Sequence, residues 1–209
     1  MSKRILCYGD SNTWGYDPET GDRYAPDVRW PGALQHELGA DYTVIEEGLC
    51  GRTTVWDDPI EGYKNGREYL IPCLATHKPL DLVILLLGTN DLKHRFSLTA
   101  YDVAEGAGVL VGLVLTSQAG PRGEAPAVLL LAPPPITTLT AFADMFRGAR
   151  GESLRLGEQF ARVAQLQGCL FLDVGTVLTS SPVDGIHFSA QGHLALGHAV
   201  SERVRAILP

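Results

Sequence analysis

The chain is predicted to fold as an α/β protein, a doubly wound three-layer α/β/α sandwich of flavodoxin-like type around a five-stranded parallel sheet. Three observations predict it. Short apolar runs alternate along the chain with segments of helical period, the pattern of repeated strand–helix units. Two of those runs, residues 82–87 and 127–132, are almost unbroken in Leu, Val, Ile and Ala, as expected of strands covered on both faces. Every polar motif that could carry chemistry follows directly after a strand, where open α/β sheets bind their ligands.

The elements follow in order. Residues 4–8 form the first strand, 42–45 the second, 82–87 the third, 127–132 the fourth and 169–172 the fifth. Between the third and fourth, Val103, Ala107, Leu110 and Val114 recur at helical spacing, and Leu196, Val200, Val204 and Ile207 do the same near the C-terminus, each set lying on one helical face. Ser189 is placed to cap that last helix. Right-handed crossovers leave the order 2-1-3-4-5 as the expected topology, and the ends of strands one and five are expected to lie side by side. Residues 12–30, 55–66 and 133–151 are irregular, and loops of that length in a compact domain are usually functional or at an interface.

The 209 residues suit one domain, residues 1–209, with a core that needs no disulfide or metal. A net charge of −7, with 17 scattered basic residues, argues against a nucleic-acid partner. The four cysteines form no C-x-x-C pair, so Cys7, Cys73 and Cys169 read as small core residues. The first residues enter a strand without a signal-peptide pattern, and no apolar run is long enough to span a bilayer. A cytoplasmic protein with no membrane partner is expected. No H-E-x-x-H or similar ligand cluster occurs, so neither metal nor cofactor is expected; His36, His77, His94, His193 and His198 read as structural or exposed.

Four motifs could carry chemistry. Gly9-Asp10-Ser11 follows strand one; a serine there can present its hydroxyl at the top of the sheet, beside the N–H groups of a helix start, or can simply cap the helix. Asp184-Gly185-Ile186-His187 follows strand five; an aspartate three residues before a histidine can hold its ring as a catalytic base requires, though the same residues can form an ordinary exposed turn. Gly88-Thr89-Asn90-Asp91 follows strand three; Asn90 can donate to a developing oxyanion or form a common Asn-Asp turn. In the fourth, the segment from Glu46 to Arg52, Gly51 can let the backbone approach a substrate or serve only as a turn glycine.

Taken together and in this order, the motifs resemble those of the SGNH, or GDSL, hydrolases over essentially the whole chain. Gly9, Asp10 and Ser11 match that family's first block, Gly51 its second, Gly88, Asn90 and Asp91 its third, and Asp184 and His187 its last. Residues 3–11, 24–30, 44–54 and 184–188 further resemble the mycobacterial arylesterase/acyltransferase branch, with departures at Asn12, at Glu46 and at Gly51, where the branch carries alanine. The resemblance implies a single SGNH-hydrolase domain, esterase, acyl-transfer and perhydrolase activity on short-chain aryl esters, and a homo-oligomer.

It also implies a Ser11–His187–Asp184 triad, with an oxyanion held by the Ser11 and Gly51 amides and the Asn90 side chain. Trp14, Tyr16 and Trp56 are expected either to line an apolar entrance or to pack in a subunit interface, where aromatics are also enriched. Asn12 and Cys50 are expected beside the substrate, Cys50 as a passive wall. Three rivals compete with this reading. One is a flavin- or phosphate-binding domain without chemistry, although no glycine-rich cradle follows strand one. An α/β-hydrolase is another, although the chain has no G-x-S-x-G. The third is a relative acting on carbohydrate O-acetyl esters or lysophospholipids.

Overall fold

The computed structural model describes residues 2–208. Its elements run β1 Lys3–Gly9, α1 Ser11–Trp14, α2 Trp30–Leu38, β2 Tyr42–Gly48, α3 Gly66–His77, β3 Leu82–Leu86, α4 Ala100–Leu115, β4 Ala127–Ala132, α5 Ala149–Ser153, α6 Leu156–Gln167, β5 Leu170–Asp173 and α7 Ala190–Ile207. All strand pairs are parallel, in the order β2-β1-β3-β4-β5, as predicted.

Because side chains alternate across a strand, each strand feeds two cores. Leu6, Tyr8, Val83, Leu85, Val128 and Leu130 pack beneath α3, α4 and α6. Ile5, Cys7, Leu82, Ile84, Leu129 and Leu131 pack beneath α2 and α7. Burial on both faces accounts for the unbroken Leu, Val and Ile of β3 and β4. β2 lies at the edge, half-buried along its length, and runs on through Glu46 and Glu47, past the predicted end at residue 45. Its acids are tolerated because the edge keeps them near water, and each has a cationic or imidazole partner.

Local capping agrees with the sequence. Thr99 and Asp102 form a reciprocal capping box on α4, and the Ser189 hydroxyl accepts the Gly192 N–H at the start of α7. No helix of the described residues is long and apolar enough to cross a membrane.

One expectation fails. β1 and β5 are not adjacent, since β3 and β4 stand between them. Three strand spacings amount to about 14 Å, so the distance from β5 to Ser11 is closed by loops rather than by strand ends. After Asp173 the chain returns across the carboxyl edge of the sheet. It is pinned there to the 133–151 loop by Thr137 N–H to Gly185 O at 2.9 Å, Ser180 Oγ to Pro135 O at 3.1 Å and Thr140 Oγ1 to Val183 O at 2.6 Å.

Candidate active site

Asp10, not Ser11, caps α1: its carboxylate accepts the Asn12 N–H at 2.9 Å. Ser11 is therefore the first residue of the helix. Its hydroxyl is free for other work, and its amide is one of those that an α-helix leaves without an internal acceptor.

The other half of the pair is built by a tight turn. One Asp184 oxygen accepts the backbone N–H groups of Ile186 and His187, both at 2.9 Å. Gly185 permits that turn, because its φ is +83° and a Cβ there would lie 2.5 Å from the Thr138 carbonyl. The second Asp184 oxygen faces His187 Nδ1 at 2.5 Å, and His187 Nε2 faces Ser11 Oγ at 2.9 Å. Asn12 ties the two halves together, its Oδ1 accepting the Phe188 N–H at 3.1 Å.

All three side chains are buried. Burial pushes the Asp184 carboxyl up, but the hydrogen bond and charge of His187 and the two amides outweigh it and hold the group below its usual range. A carboxylate kept ionised against an imidazole fixes the ring's tautomer and leaves Nε2 able to take a proton from a hydroxyl. The Tyr16 ring lies against the imidazole at 4.2 Å between centroids, and the Phe142 ring meets it edge-on at 5.8 Å.

Gly51 and Asn90 reach the same place from β2 and β3. Asn90 Nδ2 donates to Arg52 O at 3.2 Å and, more weakly, to Asp10 at 3.4 Å. Asp91 faces away from the cavity and holds the Gly51 loop against it. Its carboxylate accepts the Thr54 N–H at 3.1 Å and the Thr54 hydroxyl. Burial raises both Asp10 and Asp91 to about 6.

Gly51 has φ +83°, and a Cβ would stand 2.7 Å from a Glu61 oxygen. A side chain there would collide with Glu61, while the Gly51 backbone itself lines the cavity. No acceptor for its N–H is found among the described residues.

These residues floor a cavity of about 290 Å³. Of the expected substrate contacts, Tyr16 and Cys50 line it with Ser11, Gly51, Asn90 and His187. Burial, and then the Asp10 charge, pushes the Cys50 thiol up to about 11, so it is protonated and a poor nucleophile at neutral pH.

Asn12, Trp14 and Trp56 are not among the lining residues. Asn12 is turned inward to Phe188. Trp14 lies under the Arg23 guanidinium, 5.1 Å from the ring centroid. Trp56 stands on the partly exposed 55–66 loop. Asn12, adjacent to Ser11 on the helical turn, points in a different direction from it, and Trp14 is engaged by Arg23 instead.

Sequence reasoning missed two walls. Phe142, Met145, Phe146 and Ile186 form an apolar one, three of the four from the irregular 133–151 stretch. Glu61, Lys64 and Lys93 form a polar one. The Lys93 ammonium is buried, 2.8 Å from Glu61 and 3.4 Å from Asp58, and Arg95 joins the same carboxylates at 2.7 and 3.1 Å. A lysine at the end of Asp91-Leu92-Lys93 carries no signal of burial, because its partners come from a separate loop.

The chain matches the GDSL-like lipase/acylhydrolase family over residues 7–195. No curated protein matches it. Among solved structures it is similar to an aryl esterase from M. smegmatis, with 47% identity, TM-score 0.95 and coverage of 99% of this chain and 100% of that one. It is also similar to a carbohydrate acetylesterase from Sinorhizobium meliloti, with 42% identity, TM-score 0.96 and the same coverage. A member of the lipolytic G-D-S-L family from Veillonella parvula, 16% identical with TM-score 0.71 over 96% and 97% of the two chains, shares the fold.

Proposed function

Because the chain belongs to the GDSL-like lipase/acylhydrolase family and is therefore a carboxylic ester hydrolase, we propose that it is a serine esterase for short-chain aryl esters, working through an acyl-enzyme on Ser11 and passing the acyl group to alcohols or peroxide as well as to water. The observation that carries this is the continuous contact from Ser11 Oγ through His187 to Asp184, at 2.9 and 2.5 Å, at the floor of a small cavity.

Ser11 Oγ bonds to the ester carbonyl carbon as His187 Nε2 takes its proton, and the carbonyl π pair moves to the oxygen. When that oxyanion collapses, the bond to the leaving group breaks and His187 returns the proton to the departing alcohol or phenol. Water or a second alcohol then enters with the same proton transfers reversed, freeing Ser11. The oxyanion is held by the Ser11 and Gly51 amides and by Asn90, which gives up its long 3.4 Å contact with Asp10. Removing one such donor typically costs roughly 10²–10³ in turnover, so Asn90→Ala should lower kcat by that factor with little change in KM. A raised KM at unchanged kcat would remove Asn90 from the oxyanion site.

A volume of about 290 Å³ lies at the small end of ligand sites, which supports short acyl groups. The wall of Phe142, Met145, Phe146 and Ile186 supports acyl transfer, since an apolar entrance disfavours water against an alcohol. A second reading, a carbohydrate O-acetyl ester as substrate, is favoured by the Glu61, Lys64 and Lys93 wall, which can hydrogen-bond a polyol, and by the similarity to the S. meliloti acetylesterase.

Turnover of aryl acetates and of acetylated sugars, each with an added alcohol, tests these readings together. Faster turnover of aryl acetates, with part of the acyl group recovered as the new ester, is expected. Faster turnover of acetylated sugars selects the second reading. Hydrolysis alone at every alcohol concentration removes the acyl-transfer claim.

A further inference from the structure

Between β2 and α3, apart from the triad, three unlike donors meet. Glu47, near the end of β2, extends toward α3, where Cys73 and His77 stand four residues apart and so share one helical face. The carboxylate oxygen, the thiol sulfur and an imidazole nitrogen all lie within 4.8 Å of one another, and Glu47 Oε1 to His77 Nε2 is 2.7 Å. Cys73 is fully buried at the base of the group, while Glu47 and His77 are each about one-fifth exposed. Glu47 also forms part of the wall of a second cavity of about 640 Å³, shared with Arg52 and Tyr69. None of the three residues contributes to the triad.

We propose that Glu47, Cys73 and His77 form a binding site for a divalent zinc ion, with a water as fourth ligand on the solvent side. Thiolate, imidazole and carboxylate are the donors zinc takes, at about 2.3, 2.0 and 2.0–2.2 Å, and a tetrahedron of that size has edges of roughly 3.5 Å. With every pair of these atoms within 4.8 Å, only the short Glu47–His77 contact of 2.7 Å must widen, by roughly 1 Å, to reach such an edge.

A mixed set with one sulfur favours zinc over magnesium or calcium, which select oxygen alone. On binding, the Cys73 thiol releases its proton to solvent and sulfur donates to the metal. His77 coordinates through its neutral Nε2 and carries its remaining proton on Nδ1. Burial, and then the Glu47 charge, pushes that thiol up to about 12, so loading should grow steeply with pH.

Two guanidinium groups lie nearby and set a limit on affinity. Arg52 stacks over Tyr8 and Tyr69, and Arg4 donates to the His77 carbonyl at 3.1 Å. The sequence suggested no metal because its ligand pattern was sought within single segments, whereas this set combines a strand and a helix.

The test is titration of the chelator-stripped full chain with zinc, against a chromogenic chelator, and with cobalt as an optical probe. One equivalent is expected, with a sulfur-to-cobalt charge-transfer band. Cys73→Ser should abolish the band. His77→Gln, at a partly exposed position that need not disturb the core, should weaken zinc by more than the roughly 10–100-fold typical of losing an outer partner. Cys50→Ser should change neither readout. The absence of a thiolate band in the unmodified chain, or zinc affinity unchanged in His77→Gln, would overturn the site.

Discussion

Ser11→Ala should lower kcat on an aryl ester by roughly 10⁶-fold, His187→Ala by nearly as much, and the double variant by little more than either alone. The reason is that hydroxyl and imidazole do one job: without Nε2 at 2.9 Å the hydroxyl keeps its proton, and without the hydroxyl the base has nothing to activate. Residues that act as a unit give non-additive losses. What remains comes from the oxyanion donors and substrate binding, roughly 10³–10⁴ over water. Labelling with a fluorophosphonate provides an independent check, since modification should fall on Ser11 in the unmodified chain and be strongly slowed in His187→Ala. If the two single losses multiplied in the double variant, the contact between these residues would not be the catalytic unit. Label on any other side chain would move the nucleophile elsewhere.

The legibility of this site in the sequence has a physical basis. Ser11 and Asn90 stand just beyond the ends of apolar strands, where polar residues at the carboxyl edge of a sheet are conspicuous, and Asp184 and His187 are legible from the Asp-x-x-His spacing itself. β3 and β4 were readable for the complementary reason, being buried on both faces. β2 was read too short because an edge strand need not be apolar.

What could not be read depends on contacts between distant segments. Lys93 is buried only because Asp58 and Glu61 converge on it, and Phe142 reaches His187 from a loop with no period. The path of residues 174–188 back over β4 and β3 was missed for the same reason. Strand order alone sets β5 far from Ser11, and only loop-to-loop hydrogen bonds bring His187 home. Asn12 shows that proximity in sequence misleads. It adjoins the nucleophile, yet its side chain holds the Phe188 amide, fixing the distance between the two catalytic turns.

His193 should add an acid-sensitive contribution to the stability of the fold, and His193→Gln should remove that contribution. The ring is wholly buried against Tyr24 and Phe188. Its Nδ1 accepts the Trp30 N–H at 3.3 Å at the start of α2, and its Nε2 has no hydrogen-bond partner among the described residues. Burial, with the nearby His187 and Arg29 charges, lowers its pKa from 6.5 to about 3.

Folded, the ring therefore stays neutral down to about pH 3, whereas unfolded it takes a proton near 6.5. The unfolded chain binds the extra proton throughout that window, so stability falls as pH falls, by about 1.4 kcal/mol per unit and on the order of 5 kcal/mol in all. Asp10 and Asp91 have the opposite sign. Raised from 3.8 to about 6, they take up protons first in the folded state and add stability as pH drops from 6 toward 4. Asp17, Asp58, Asp102 and Asp184, all held below the usual range, lose their contribution only at lower pH.

The comparison therefore belongs between pH 7 and 4, where the carboxylate effects are common to both proteins and cancel in the difference. Denaturant unfolding should show the gap between His193→Gln and the unmodified chain shifting in favour of the variant by on the order of 3 kcal/mol over that range. Parallel stability curves would mean that His193 becomes charged inside the fold, and that its imidazole is better solvated than its burial implies.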